Sequence, residues 1–227
     1  MSWFRIQGPS RISGRFTPAG NKNAALPILA GCLLTDETVE LANVPDIRDV
    51  RTLVELIREL GAEVQWTGPN SVRIRAGAIA SPRVPPEMAG RIRASVLLAG
   101  PLLARLGEVE LPPPGGDVIG RRRLDTHFLA LRRLGAEVEA SDAYYLRTEG
   151  LEGADVFLDE PSVTGTENAV LAAVLARGTT VLRNAAAEPH VQDLCRFLNA
   201  LGAQIRNVGG RTLEIEGVDR LSGGEHR

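Results

Sequence analysis

Three stretches of this chain end on the same three residues. LVELIRELGAEV (53–64), FLALRRLGAEV (128–138) and CRFLNALGAQI (195–205) each pass through Leu-Gly-Ala into a strand-like pattern. In the first, Val50, Leu53, Ile57 and Leu60 fall at helical spacing. Gly61, Gly135 and Gly202 stand where a helix ends on a left-handed residue, a conformation glycine adopts at little steric cost. A helix stop that recurs in this way demands a repeated unit.

The units also begin alike, on apolar helices: NAALPILAGCLL (23–34), RASVLLAGPLLA (93–104) and NAVLAAVLA (168–176). They are apolar almost all round, which predicts burial. Short strands (TVELANV, GEVELPP, TTVLRNA) follow, and strand pairs such as VQW with SVRIRA come after the second helix. The unit is β-α-β-α-β-β, recurring at roughly seventy residues, longer than common solenoid repeats. Three units closing around shared helices predict one α/β (α+β) domain over residues 21–219 with pseudo-threefold symmetry. FRIQG and RISGRF within residues 1–20 read as two short strands outside the repeats, and residues 220–227 trail past the third unit.

A net charge of −2 gives no nucleic-acid footprint across the whole surface. No apolar run reaches membrane-span length, and MSWFRIQGPS is not a secretory signal, so the cytoplasm is the expected location, with no membrane partner. Cys32 and Cys195 lie in apolar helical stretches and read as buried thiols. His127, His190 and His226 are scattered, which predicts no metal site.

Of the 26 basic residues only Lys22 is lysine. Where arginine is so favoured, a surviving lysine is a candidate for chemistry that needs a compact ammonium, or it survives by chance. Lys22 and Asn23 open the first apolar helix, where free backbone N–H groups favour an anion. The alternative is a capping turn with an exposed lysine. Pro27 is expected near that helix's first turn. Arg91 and Arg93 open the second helix against its dipole, either to hold an anion or to bend into solvent. Arg93 is read as taking the place of Asn23 and Asn168. In PPPGGDVIGRRRLD (112–125), prolines stiffen the root and glycines let the loop close, as in a lid. Arg121, Arg122 and Arg123 can clamp phosphate, and Asp117 is open between acid–base work and capping. In DEPSVTGTENAV (159–170), Thr164 or Thr166 is expected to cap the helix, with Glu167 in its first turn and Ser162 able to hold a polar ligand.

With GNKNAALPIL, RASVLLAGPLLA, PGGDVIGRRRLDTH and EPSVTGTEN assembled, the chain resembles the UDP-N-acetylglucosamine 1-carboxyvinyltransferase family, from FRIQGP to GGEHR. These are enolpyruvyltransferases of the first committed step of peptidoglycan synthesis. The resemblance implies an inside-out α/β barrel in each of two domains. This chain would be the N-terminal half: one complete domain, strands in 1–20 belonging to the other domain, and the start of the return to it in 220–227. A missing C-terminal domain is thus the expected protein partner. The implied substrates are phosphoenolpyruvate and UDP-N-acetylglucosamine, with no cofactor, metal or nucleic acid. The implied reaction protonates C3 of the enol, adds the sugar 3-hydroxyl at C2, then expels phosphate as C3 loses a proton.

By resemblance, the catalytic residues are Asp117, as proton donor, and Lys22. Phosphoenolpyruvate would meet Lys22, Asn23 and Arg122. UDP-N-acetylglucosamine would meet Asn23, Arg93, Arg122, Arg123, Leu124, Asp125, Thr126, Glu160, Pro161, Ser162 and Val163. Most members carry cysteine at Asp117. A carboxyl, with an ordinary pKa of about 3.9, must be raised to act as an acid near neutrality, and it cannot form the thioether that fosfomycin makes with cysteine. Arg123 replaces a usual proline, Leu97 a frequent tryptophan, and His190 a frequent acid, so His190 is given no role. The alternatives are a UDP-sugar-binding domain without turnover, or a shikimate-3-phosphate enolpyruvyltransferase, against which Lys22-Asn23 counts, since that enzyme has serine after its lysine.

Overall fold

The computed structural model describes residues 3–116, 120 and 123–227. The first unit contains α1 (Lys22–Gly31), a 3-10 turn (Cys32–Leu34), β1 (Thr38–Leu41), α2 (Arg48–Glu59), β2 (Glu63–Gly68) and β3 (Ser71–Arg75). A short helix, α3 (Pro86–Ala89), leads to the second unit. That unit contains a 3-10 segment (Arg93–Leu98) continuing into α4 (Ala99–Leu106), then β4 (Glu108–Leu111), α5 (Asp125–Arg133), β5 (Glu137–Ala140) and β6 (Tyr144–Arg147). The third contains β7 (Asp155–Phe157), α6 (Val163–Ala173), β8 (Thr179–Arg183), α7 (Pro189–Ala200), β9 (Gln204–Arg206) and β10 (Thr212–Glu216). A last strand, β11, spans Gly224–His226.

Leu-Gly-Ala is the same hydrogen-bonded stop each time. Gly61, Gly135 and Gly202 have φ of 107°, 94° and 101°. Their N–H groups bond to Arg58, Arg132 and Asn199, while the next alanine bonds to Ile57, Leu131 and Leu198. This is the Schellman pattern, which satisfies carbonyls that a helix end leaves open. In each unit the side chain at position 58, 132 or 199 then reaches the carbonyl six residues on, Val64, Val138 or Ile205, so that the outgoing strand folds back beside its helix.

The units surround a core of helices. Residues 25–31 of α1 and 165–173 of α6 are buried without interruption, as expected of helices that are apolar all round. α6 packs on α4, and α1 packs on the 3-10 segment and α7. The sheets lie outside, with orders β11-β1-β3-β2, β4-β6-β5 and β7-β8-β10-β9. The helices are inside and the strands outside, as the inside-out arrangement requires. Among the described residues, however, the sheets remain three separate units and no barrel wall closes.

The two terminal segments differ in what they meet. Residues 220–227 do not simply trail away: β11 pairs in parallel with β1, with Val39 opposite Gly224 and Leu41 opposite His226. Leu221 is buried, and its carbonyl accepts from Thr35 Oγ1 at 2.8 Å. β11 thus takes the place that β7 holds beside β8 and that Arg83 holds beside Glu110. FRIQG and RISGRF form no strands. Residues 3–18 are exposed, with Phe4, Ile6 and Ile12 at least 90% accessible. An alternating pattern needs a partner strand for its backbone groups, and the described residues supply none.

Candidate active site

The three central helices start on one cleft of about 790 Å³. α1 is capped by Asn21, whose Oδ1 accepts from Asn23 N (2.7 Å) and Ala24 N (3.3 Å). α6 is capped by Ser162, whose Oγ accepts from Gly165 N at 3.2 Å. The 3-10 segment has no side-chain cap. The first residues of α2 and α7 reach the same cleft with Arg48, Asp49, Glu188 and His190. Helix starts share a direction of dipole, so their convergence favours a ligand with anionic oxygens.

Lys22 Nζ lies 3.0 Å from Asp49 Oδ2, both about half exposed. Such a pair contributes only about 0–1 kcal/mol, so the ammonium can exchange its partner for a ligand anion. Asn21 already engages two N–H groups at the helix start, which leaves charge on Lys22 as the main attraction there. Pro27 sits in the interior of α1 rather than its first turn. Its missing N–H removes the usual partner of the Asn23 carbonyl, beside the cleft.

Arg93 joins the cleft to the start of α5. Its guanidinium donates to the Arg123 carbonyl at 3.1 Å. Arg123 Nε donates to Asp125 Oδ2 at 2.6 Å, and this hydrogen bond holds the Arg123 guanidinium above its ordinary pKa. Thr126 Oγ1 donates to Asp159 Oδ1 at 2.7 Å, with Glu160 Oε1 at 3.4 Å. The loop root is held by close backbone approach: Gly115 N donates to Ala89 O, and a Cβ on Gly115 would lie 1.6 Å from Gly90 O. No other residue fits there.

Behind this wall is a closed polar set. Asn168 Oδ1 accepts from Gly100 N (2.7 Å), while Nδ2 donates to Val96 O (2.8 Å) and faces His127 Nδ1 (3.1 Å). Because Nδ2 is a donor, Nδ1 must be the unprotonated nitrogen. Nε2–H then donates to Thr164 Oγ1 at 3.1 Å, leaving the Thr164 hydroxyl hydrogen free to point elsewhere. Burial, with a smaller push from Arg93, lowers the His127 pKa to about 3, so the ring is neutral.

The structure brings Lys22, Asn23, Arg93, Ser162 and Val163 into one cleft. Arg123, Leu124, Asp125, Thr126, Glu160 and Pro161 form the adjoining ridge, with Leu124 buried and Glu160 and Pro161 exposed. Asp117 and Arg122, and Arg121 with them, lie outside the described residues. Leu97 and His190 also line the cleft. Three helix-start expectations are corrected. Ser162 caps α6, because the helix begins earlier than Thr164 or Thr166. Thr166 Oγ1 instead accepts from Ala186 N at 2.9 Å, and Glu167 lies in the second turn, 1% exposed. Asn168 is a core residue, so Arg93 corresponds by helix position to Lys22 and Val163 rather than to Asn23 and Asn168. Sequence reasoning did not single out Arg48 or Asp49, gave His127 no role beyond excluding a metal site, and placed Glu167 only as a first-turn acid. The signal for the last was a Glu-Asn pair inside an otherwise apolar helix. Among the described residues no cluster could hold a metal ion, and no helix is long and apolar enough to cross a membrane.

A family model described as EPSP synthase (3-phosphoshikimate 1-carboxyvinyltransferase) matches residues 6–227. The chain belongs to the EPSP synthase family. Within it, the chain is 60% identical over 222 residues to a UDP-N-acetylglucosamine 1-carboxyvinyltransferase of Bradyrhizobium diazoefficiens, covering 98% of this chain and 52% of the relative. It is 50% identical over 227 residues to the protein of that name from Treponema denticola, covering all of this chain and 53% of the relative. The chain therefore spans about half the length of the curated relatives it matches. Two solved members of the EPSP synthase fold agree in architecture. The enolpyruvyl transferase NikO from Streptomyces tendae superposes with a TM-score of 0.81 at 24% identity, over 96% of this chain and 52% of that one. An EPSP synthase from Acinetobacter baumannii gives 0.73 at 20% identity, over 93% and 48%.

Proposed function

We propose that this domain forms one wall of the active site of an enzyme that transfers enolpyruvyl from phosphoenolpyruvate to the 3-hydroxyl of UDP-N-acetylglucosamine. The observation that carries the reading is the convergence of Lys22, Arg93 and the Ser162 helix start on one cleft. In this reading Lys22 leaves Asp49 for the phosphoenolpyruvate charge, with Asn23 beside it and Arg122 closing on its phosphate. Arg93 and the ridge from Arg123 to Thr126 hold the nucleotide sugar together with residues 160–163. Asp117 delivers the proton to C3 as a carboxylic acid and gives fosfomycin no thiol to alkylate. The exposed apolar arm, residues 3–18, pairs with the half of the enzyme that this chain does not match. The setting is peptidoglycan synthesis in the cytoplasm.

A cleft with one wall admits water, which weakens electrostatic stabilisation of the reaction. The match to only half of each relative therefore favours a second reading for the chain by itself, nucleotide-sugar binding without turnover. The test is product analysis with UDP-N-acetylglucosamine and with shikimate 3-phosphate, using this chain alone and joined to the complementary half of the Bradyrhizobium relative. Enolpyruvyl-UDP-N-acetylglucosamine is expected from the joined protein, with negligible turnover by the chain alone. Product from shikimate 3-phosphate only, or from neither acceptor in the joined protein, overturns the reading.

A further inference from the structure

Glu167 is a cleft residue that the proposed reaction does not use. It lies in the wall, one turn into α6, and is 1% exposed. Its Oε1 has no hydrogen-bond partner among the described residues. A carboxylate is expensive to bury without a cation or donor, and among the described residues no ion pair reaches Glu167. Its surroundings do not help. α7 presents Glu188, His190 and, further along, the buried thiol of Cys195, and Glu188 acts on it as a like charge. Across the cleft, α1 and α2 present Lys22, Arg48 and Asp49, with Lys22 engaged by Asp49. Arg91 and Arg93 stand at the 3-10 segment. Burial first, and the charge of Glu188 second, push the Glu167 pKa up to about 8. At neutral pH the group is a carboxylic acid, able to donate a hydrogen bond in a wall built to meet anionic oxygens.

We propose that Glu167 is a ligand-binding residue of this cleft, meeting a phosphate or carboxylate oxygen as an uncharged acid and opposing the same anion once ionised. This rests on the proposed function only in taking the cleft as the site of an anionic substrate. A bound anion then stabilises the protonated form, so binding near pH 8 takes up a proton, and affinity falls as the solution becomes more alkaline.

The test is a carbon-13 NMR titration of the glutamate carboxyls in the chain, free and with inorganic phosphate, phosphoenolpyruvate or UDP-N-acetylglucosamine. One carboxyl, lost in Glu167→Gln, is expected to titrate near pH 8 and to rise by about one pH unit when an anion binds. Should Glu167→Gln not fold, Glu188→Gln is expected to lower that midpoint by removing the neighbouring charge. Titration of every glutamate in the ordinary carboxylate range overturns the proposal, as does a midpoint that none of the three anions moves. A midpoint moved by phosphate or phosphoenolpyruvate in a chain that does not bind UDP-N-acetylglucosamine supports Glu167 and counts against the proposed acceptor. Binding of UDP-N-acetylglucosamine with the midpoint unmoved by any probe does the reverse.

Discussion

His127 and Glu167 sit on two sides of the first turns of α6, and both are buried, at 2% and 1% exposure. Both are uncharged near neutrality, by opposite routes: burial takes the proton from the imidazole and keeps it on the carboxyl. Their partners differ. Both His127 nitrogens are engaged, by Asn168 and Thr164, whereas Glu167 keeps an oxygen without a partner in the wall of the cleft. Burial sets the charge state in each case. The number of partners decides whether the residue holds the core together or remains available to a ligand.

The comparison breaks most sharply at Asn168. Asn168→Ala leaves Gly100 N, Val96 O and His127 Nδ1 unmatched and is expected to cost about 4 kcal/mol in urea unfolding. A loss below about 1 kcal/mol would show that the polar set is not structural. The pH limbs come next. The His127 pKa is lowered on folding, so its contribution is complete above the ordinary histidine range and declines as pH falls towards about 3. The Glu167 pKa is raised, so its contribution is complete below the ordinary glutamate range and declines as pH rises to about 8. Each limb should span about 2 kcal/mol once the site relaxes. Glu167→Gln should remove the alkaline limb alone, and a variant still as alkali-sensitive as the parent would separate Glu167 from that limb. Ser162→Ala, which removes the α6 cap beside both residues, should lower stability by about 1 kcal/mol. Deleting residues 3–17, which touch neither site, should change the unfolding free energy by less than about 0.5 kcal/mol.

The repeat was legible because each stop uses local chemistry: a glycine at positive φ and two backbone bonds, all within six residues. Lys22 stood out because it is the one lysine among 26 lysine and arginine residues. Glu167 was misplaced because Thr164 and Thr166 look like caps, and nothing local shows that Ser162 starts the helix one turn earlier. Asn168 was assigned to a helix start for the same reason, though its partners Val96 and Gly100 lie in another unit. β11 was missed because parallel pairing with β1 joins residues almost the whole chain apart, and no local pattern encodes it. The arm misled in the opposite sense: a strand-like alternation is necessary for a strand but does not supply the neighbour that completes it.

The parallel pairing of β11 with β1 also bears on how the molecule is made. A ribosome delivers the first unit before the other two, yet the first sheet lacks an edge until His226 has emerged. Of the three units, the one made first is therefore the last to acquire its full set of strands. Thr35, whose hydroxyl bonds to the Leu221 carbonyl, must wait in the nascent chain for a residue 186 positions away. Contacts of such long sequence separation are slow to form. During synthesis the first unit relies on helix packing, α1 on α2 and then on the 3-10 segment and α7, until β11 completes its sheet.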